Sequence, residues 1–273
     1  MSMLPHTKWF KKTSVTLSSS DGKPIDVYEF NIDHSDTASL KSWSKHFREH
    51  YCLDSKIDRY RQAEKMSRRE YLLSMVFPSK NDDFGPATRS GDFAEILFAD
   101  MLQSLFGYYV PRTRYFLKMI PNESSKGTDV LGFKFKTGGN LPESLIAVES
   151  KAQFSGKKAD TKLQEAVIHS NKDLDKFRIA KSLNSMKQRL DFLNDDDGFF
   201  KIEQFQDPLE KPYDIQSGAT ALFCSSLFDA AHIASTTSCA NHSNRDNLTL
   251  IVMHAVDLRK IVHEMYERAA NDA

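Results

Sequence analysis

The sequence predicts an α+β fold, on three observations. Leu145-Ile146-Ala147-Val148 is apolar on both alternating faces, as an interior strand is, and it runs directly into Glu149 and Lys151. Leu174, Phe177, Leu183, Met186, Leu190 and Leu193 recur at helical spacing through a region from about Asp160 to Leu193. Two more strand-like runs, Ala219 to Cys224 and Leu248 to Met253, precede a closing helix from Leu258 to Ala269.

The chain opens with two expected strands, Ser14 to Leu17 and Ile25 to Phe30, joined through Asp21-Gly22, a hairpin signal. Helices are expected from about Ala38 to Tyr51 and from about Ser67 to Val76. The second begins at Ser67-x-x-Glu70, a capping box, and ends before Pro78. Asn81 to Pro86 is a boundary, dividing an N-terminal α/β region, 1–84, from a core, 85–273. The core starts with a helix in which Asp92-x-x-Glu95 reads as a cap before the apolar run Ile96 to Leu102, with a strand near Tyr108 to Val110 after it.

At 273 residues the chain is long enough for a sizeable core, either as one enlarged domain or as a core with an N-terminal addition. Formal charge is balanced, so no whole-molecule field marks a nucleic-acid binder. Cys52, Cys224 and Cys239 are odd in number and far apart, which suits a reducing cytoplasm rather than a disulfide framework. No apolar run approaches membrane-spanning length, and the first residues lack a signal-peptide core. The expectation is a cytoplasmic protein with no membrane partner.

Residues 129 to 153 concentrate the chemistry. Val130 to Phe135 forms a second strand, and Gly138-Gly139-Asn140-Leu141-Pro142 supplies a reversal. The midpoint of 129 and 149 is Gly139, so symmetric pairing sets Asp129 opposite Glu149. Side-chain alternation puts Glu149, Lys151 and Gln153 on one face. Facing carboxylates at the end of a buried hairpin repel, and are sustained by a bound cation or a shared proton; Mg²⁺ suits oxygen donors best. The competing reading makes Glu149 and Lys151 an ordinary salt bridge and Asp129 a turn residue.

Asp129, a hairpin and then Glu149-x-Lys151 resembles the active site of the PD-(D/E)xK, or restriction-endonuclease-like, nucleases, with Gly127-Thr128 in place of the proline and Gln153 extending the pattern to ExKxQ. More closely, Ser90-Gly91-Asp92-Phe93-Ala94-Glu95, Gly127 to Gly132 and Val148 to Lys151 resemble the HamA family, nuclease subunits of the Hachiman antiphage defence system. The resemblance implies an αβββαβ core with a mixed sheet flanked by helices and the site at one sheet edge. It implies a metal-dependent deoxyribonuclease, with a superfamily 2 helicase subunit, HamB, as partner. Asp129, Glu149 and the Ser150 carbonyl would hold Mg²⁺, with Mn²⁺ able to substitute, and the ion acidifies a water and neutralises phosphate charge. Lys151 would stabilise hydroxide or the developing phosphorane, and Gln153 would orient the water or touch a phosphate. Glu95 is read both as a metal-linked residue and as the capping-box partner of Asp92.

From Lys151 to Arg189 cations outnumber acids, and Lys157, Lys158 and Lys162 are the expected nucleic-acid contacts, with a solvated helix face as the plainer reading. Acidic residues follow at 194–214, expected as a solvated loop interrupted by Gly198, Pro208 and Pro212. Other patterns fail. His263-Glu264 lacks the second histidine of a zinc-protease helix, Cys239-x-x-His242 lacks a second pair, and Gly127 to Lys134 misses the Lys-Ser/Thr of a phosphate loop, so no nucleotide site is expected. A non-catalytic DNA-binding or helicase-regulating adaptor and an RNA or structure-specific endonuclease remain as alternatives.

Overall fold

In chain order the first strands are β1 (Phe10–Lys12), β2 (Leu17–Ser18) and β3 (Pro24–Phe30), and the first helices α1 (Thr37–Glu49), α2 (Asp54–Arg61) and α3 (Arg68–Tyr71). Then come α4 (Gly85–Leu105), β4 (Val130–Phe135), β5 (Pro142–Gln153), α5 (Lys162–Lys172), α6 (Lys176–Phe192) and α7 (Asp196–Glu203). The chain closes with β6 (Asp214–Cys224), α8 (Ala230–Thr236), β7 (Leu248–Ala255) and α9 (Leu258–Asn271). This computed structural model describes residues 4–82, 84–116, 118–138 and 141–273, without the side chain of Lys176.

All seven strands join one mixed sheet, in the order β1-β3-β7-β6-β5-β4 with β2 beside β3. The β4–β5 hairpin is antiparallel, whereas β5–β6, β6–β7 and β3–β7 are parallel. Helices cover both faces. α1, α4 and α9 pack on one, around Trp43, Phe47, Phe93 and Tyr266; α5, α6 and α7 cover the other, around Leu163, Leu183, Ile202 and Phe205. Parallel strands buried on both sides read as unbroken apolar runs, which is why β5 and β7 were legible. Gly218 lets β6 approach β5, since a Cβ there would stand 2.7 Å from Val148 Cγ2.

The hairpin pairs Val130 with Val148 and Phe133 with Leu145, the register centred on Gly139, which itself lies outside the described residues with Asn140. A bulge between Lys134 and Phe135 shifts the pairing near the turn. The 67–76 helix begins with the expected capping box, Ser67 and Glu70 bonding reciprocally, and ends in a π turn from Leu72 to Val76.

Five expectations need correction. The first expected strand, Ser14 to Leu17, is replaced by two short ones, Phe10–Lys12 and Leu17–Ser18. The helix carrying Glu95 starts at Gly85 with Pro86 in its first turn, so Asp92 and Glu95 are interior positions and no capping box forms between them. The 160–193 region is two helices, α5 and α6, because Asp175 caps a new N-terminus by accepting the Phe177 N–H at 2.8 Å; Phe177 is then 77% exposed and lies off the buried stripe. Tyr108 to Val110 makes a single bridge, Tyr109 to Phe133, rather than a strand. The acidic segment contains α7: Asp195 accepts the Gly198 N–H, Asp196 and Asp197 complement the positive helix end, and Ile202 and Phe205 bury beneath.

Residues 4–82 contribute β1, β2 and β3 to the same sheet as the hairpin, and Trp9, Phe30, Trp43 and Phe47 share one core with α4 and α9. Phe47 is fully buried against Phe93 and Tyr266. Phe47→Ala is expected to cost about 3–5 kcal/mol of stability within a single urea transition. A separate early transition would show that the N-terminal part folds as an independent unit.

Candidate functional site

Glu149 and Lys151 leave the C-terminal end of β5 on its α5-facing side, and Asp129 stands one residue beyond the last β4 rung, in line with Glu149. Only 4% of Glu149 is exposed. Its Oε1 accepts from Lys151 Nζ at 2.5 Å and lies 3.2 Å from His169 Nδ1 on α5, while its Oε2 is buried without a partner. Asp129 Oδ2 accepts the Ser150 N–H at 3.0 Å. Its Oδ1 accepts from Arg114 at 2.7 Å.

Arg114 ties helix α4 to this network. Its Nε donates to Glu95 Oε2 at 2.5 Å, and Tyr115 Oη donates to the same oxygen at 2.6 Å. Glu95 thus reaches the site from α4 through a guanidinium that spans two carboxylates, a geometry that suits arginine and not lysine. Asp92, one turn earlier, is engaged elsewhere: it accepts from Tyr51 Oη and Lys118 Nζ, each at 2.8 Å. Glu95, Asp129, Glu149, Lys151, Gln153 and His169 all line one cleft of about 860 Å³, whose rim carries Arg178, Lys126 and Arg259.

Burial governs the electrostatics. It pushes the Glu149 carboxyl up, with the charge of Asp129 adding and Lys151 opposing, to about 7. Burial likewise raises Glu95 to about 8, Arg114 opposing while Asp129 and Asp92 add. For Lys151 burial acts against the ammonium, but Glu149, Asp129 and Glu95 outweigh it and hold the pKa above the usual lysine value.

The predicted residues divide on inspection. Asp129, Glu149, Lys151 and Glu95 come together in the cleft, with the Ser150 backbone bonded to Asp129. Gln153 lines the cleft but is committed to the following loop: its Nε2 donates to the Lys158 carbonyl at 3.0 Å and its Oε1 accepts the Asp160 N–H at 2.8 Å. Lys157 and Lys158 are exposed on that loop, away from the cleft wall, and Lys162 pairs with Glu165 at 3.0 Å. Arg114 and His169 escaped sequence reading. Neither sits in a local pattern, and the signal for Arg114 was indirect: buried carboxylates require a buried cation.

The donor set fits a hard divalent ion, because three carboxylates share the cleft and one buried oxygen, Glu149 Oε2, has no protein partner. Among the described residues, however, the group of three or more His, Cys, Asp or Glu side chains whose ligand atoms all lie within 4.8 Å of one another is His46, His50 and Asp100. Glu95, Asp129 and Glu149 are instead each drawn onto a cation of the protein, Arg114 or Lys151. Cys52 and Cys239 are buried free thiols and Cys224 is half-buried and free. No described helix is long and apolar enough to cross a membrane.

Fold and site together define an α+β protein with a buried carboxylate-and-lysine cleft at the hairpin edge of a mixed sheet. The chain belongs to the HamA family, whose sequence profile matches residues 5–269, nearly its whole length. That membership supports a role in antiphage defence. No curated protein matches the sequence.

The raised carboxyl of Glu149 has a consequence for stability. In the folded chain it keeps its proton to about 7, whereas an unfolded glutamate releases it near 4.3, so folding takes up a proton between those values. In chelator-treated protein, stability is therefore expected to fall as pH rises from 5 to 7. The loss attributable to Glu149 over that window is on the order of 2 kcal/mol, and Glu149→Gln removes it. Urea unfolding of both proteins across that range checks the sign; an identical pH profile for the two would contradict it.

Proposed function

We propose that this protein is a Mg²⁺-dependent deoxyribonuclease, the effector subunit of a helicase-associated antiphage defence complex. The observation that carries the reading is buried Glu149 paired with half-buried Lys151, 2.5 Å apart, with Asp129 in line across the hairpin and Glu149 Oε2 left without a partner. Asp129, Glu149 and the Ser150 carbonyl are the groups that would hold the ion, with Glu95 joined to them through Arg114. When bound, Mg²⁺ supplies charge neutralisation at a phosphate and a more acidic water.

The residues of the chain do the rest. Lys151 stays an ammonium because carboxylates surround it, and it presents that charge where a phosphorane oxygen or a hydroxide would develop. Arg114 fixes Asp129 and Glu95 so that neither rotates away from the cleft. Arg178, Lys126 and Arg259 on the rim offer a phosphate backbone a positive approach, and Lys157 and Lys158 extend it along the loop after β5. A superfamily 2 helicase is the partner that HamA membership suggests, and it would supply the motor.

A second reading has an observation of its own. Each acidic group in the cleft already has a protein cation, which would suit a DNA-binding or helicase-regulating adaptor without turnover. Cleavage assays separate the two. Lys151→Met and Glu149→Gln are expected to lower Mg²⁺-dependent cleavage of plasmid and linear DNA by at least about 10²-fold, with far-UV circular dichroism unchanged. Wild-type cutting that survives either change would refute the mechanism, and cutting confined to RNA would reassign the substrate.

A further inference from the structure

Beside α4, where α1 ends, a second cluster of ionisable side chains gathers. His46 and His50 lie one helical turn apart, so their rings share a face. Asp100, fully buried on α4, points at them. His46 Nε2 is 2.8 Å from Asp100 Oδ1 and 3.3 Å from His50 Nε2. All three ligand atoms lie within 4.8 Å of one another.

We propose that His46, His50 and Asp100 form a transition-metal site, with Zn²⁺ the best-matched ion, separate from the Asp129 and Glu149 cleft. Zinc bound by imidazole nitrogens at about 2.0–2.1 Å in a tetrahedron has ligand atoms about 3.3–3.4 Å apart. The two Nε2 atoms already stand at that separation. Two such nitrogens facing each other cannot both carry a proton into the gap, so at least one of them presents a lone pair there.

The surroundings select the kind of ion. Asp100 Oδ2 is held by His6 Nε2 at 2.8 Å, the outer bond that orients a metal-binding carboxylate. Arg112 also donates to Asp100 Oδ1 at 2.8 Å, a charge that opposes any divalent ion alike, so the preference for Zn²⁺ over Mg²⁺ comes from the two imidazoles. A cavity of about 70 Å³ lies against His50 and Arg112 and has room for a water as a further ligand. Glu95 and Asp129 line the same cavity. An ion here would pin α1 to α4, the helix that delivers Glu95.

The test is a Co²⁺ titration of the full-length, chelator-treated chain carrying Asp129→Asn and Glu149→Gln, which disable the other cleft. One equivalent of Co²⁺ is expected to give the visible absorption of a four-coordinate ion, and Zn²⁺ is expected to bleach it and raise the melting temperature. His46→Gln, at a partly exposed position, is expected to abolish the signal with far-UV circular dichroism unchanged. No stoichiometric binding by the parent protein would overturn the assignment without any variant. So would a Co²⁺ spectrum that His46→Gln leaves untouched.

Discussion

The constraint on which this molecule turns is three carboxylates and a lysine gathered in one cleft, Asp129, Glu149 and Lys151 from the β4–β5 hairpin and Glu95 from α4, with Glu149 buried and the others half-buried. Glu95, Asp129 and Glu149 would each rather be hydrated, and burying them side by side compounds the cost. The chain meets it with Arg114 bridging two of them and Lys151 on the third, yet Glu149 Oε2 still has no partner and both glutamates are pushed towards protonation. A core assembled for stability alone would have no use for such a cluster. Perturbed carboxylates converging in a cleft are what a charge-handling site requires.

The sheet supplies the rigidity behind that arrangement. β5 is enclosed by β4 on one side and β6 on the other, and it packs against α4 on one face and α5 on the opposite one. Glu149 and Lys151 therefore project from a strand that cannot shift, and Gly218 keeps β6 close behind them. α4 reaches the same cleft from the other face, and α1 and α9 hold α4 in place through Phe47, Phe93 and Tyr266. Residues far from the cleft thus determine where Glu95 stands.

How much of this the sequence revealed follows the range of the interactions involved. The register of the β4–β5 hairpin, with Asp129 in line with Glu149, rests on two-residue alternation around a short turn, and both are local. The capping box at Ser67 and Glu70 is local too, and it forms. Asp92-x-x-Glu95 carries the same signature, but Pro86 starts the helix earlier, so an identical pattern marks an interior turn. The acidic stretch near residue 195 read as loop because charge masked the Ile202 and Phe205 contacts that bury α7. Arg114, His169 and the parallel pairing of β3 with β7 depend on partners distant in sequence, which no local window contains.

Anomalous diffraction from crystals soaked in Mn²⁺ tests the central claim most directly. A peak between Asp129 and Glu149, lost in Glu149→Gln, is the predicted result. Its absence from well-ordered wild-type crystals, with Arg114 and Lys151 still seated on the carboxylates, would contradict the account.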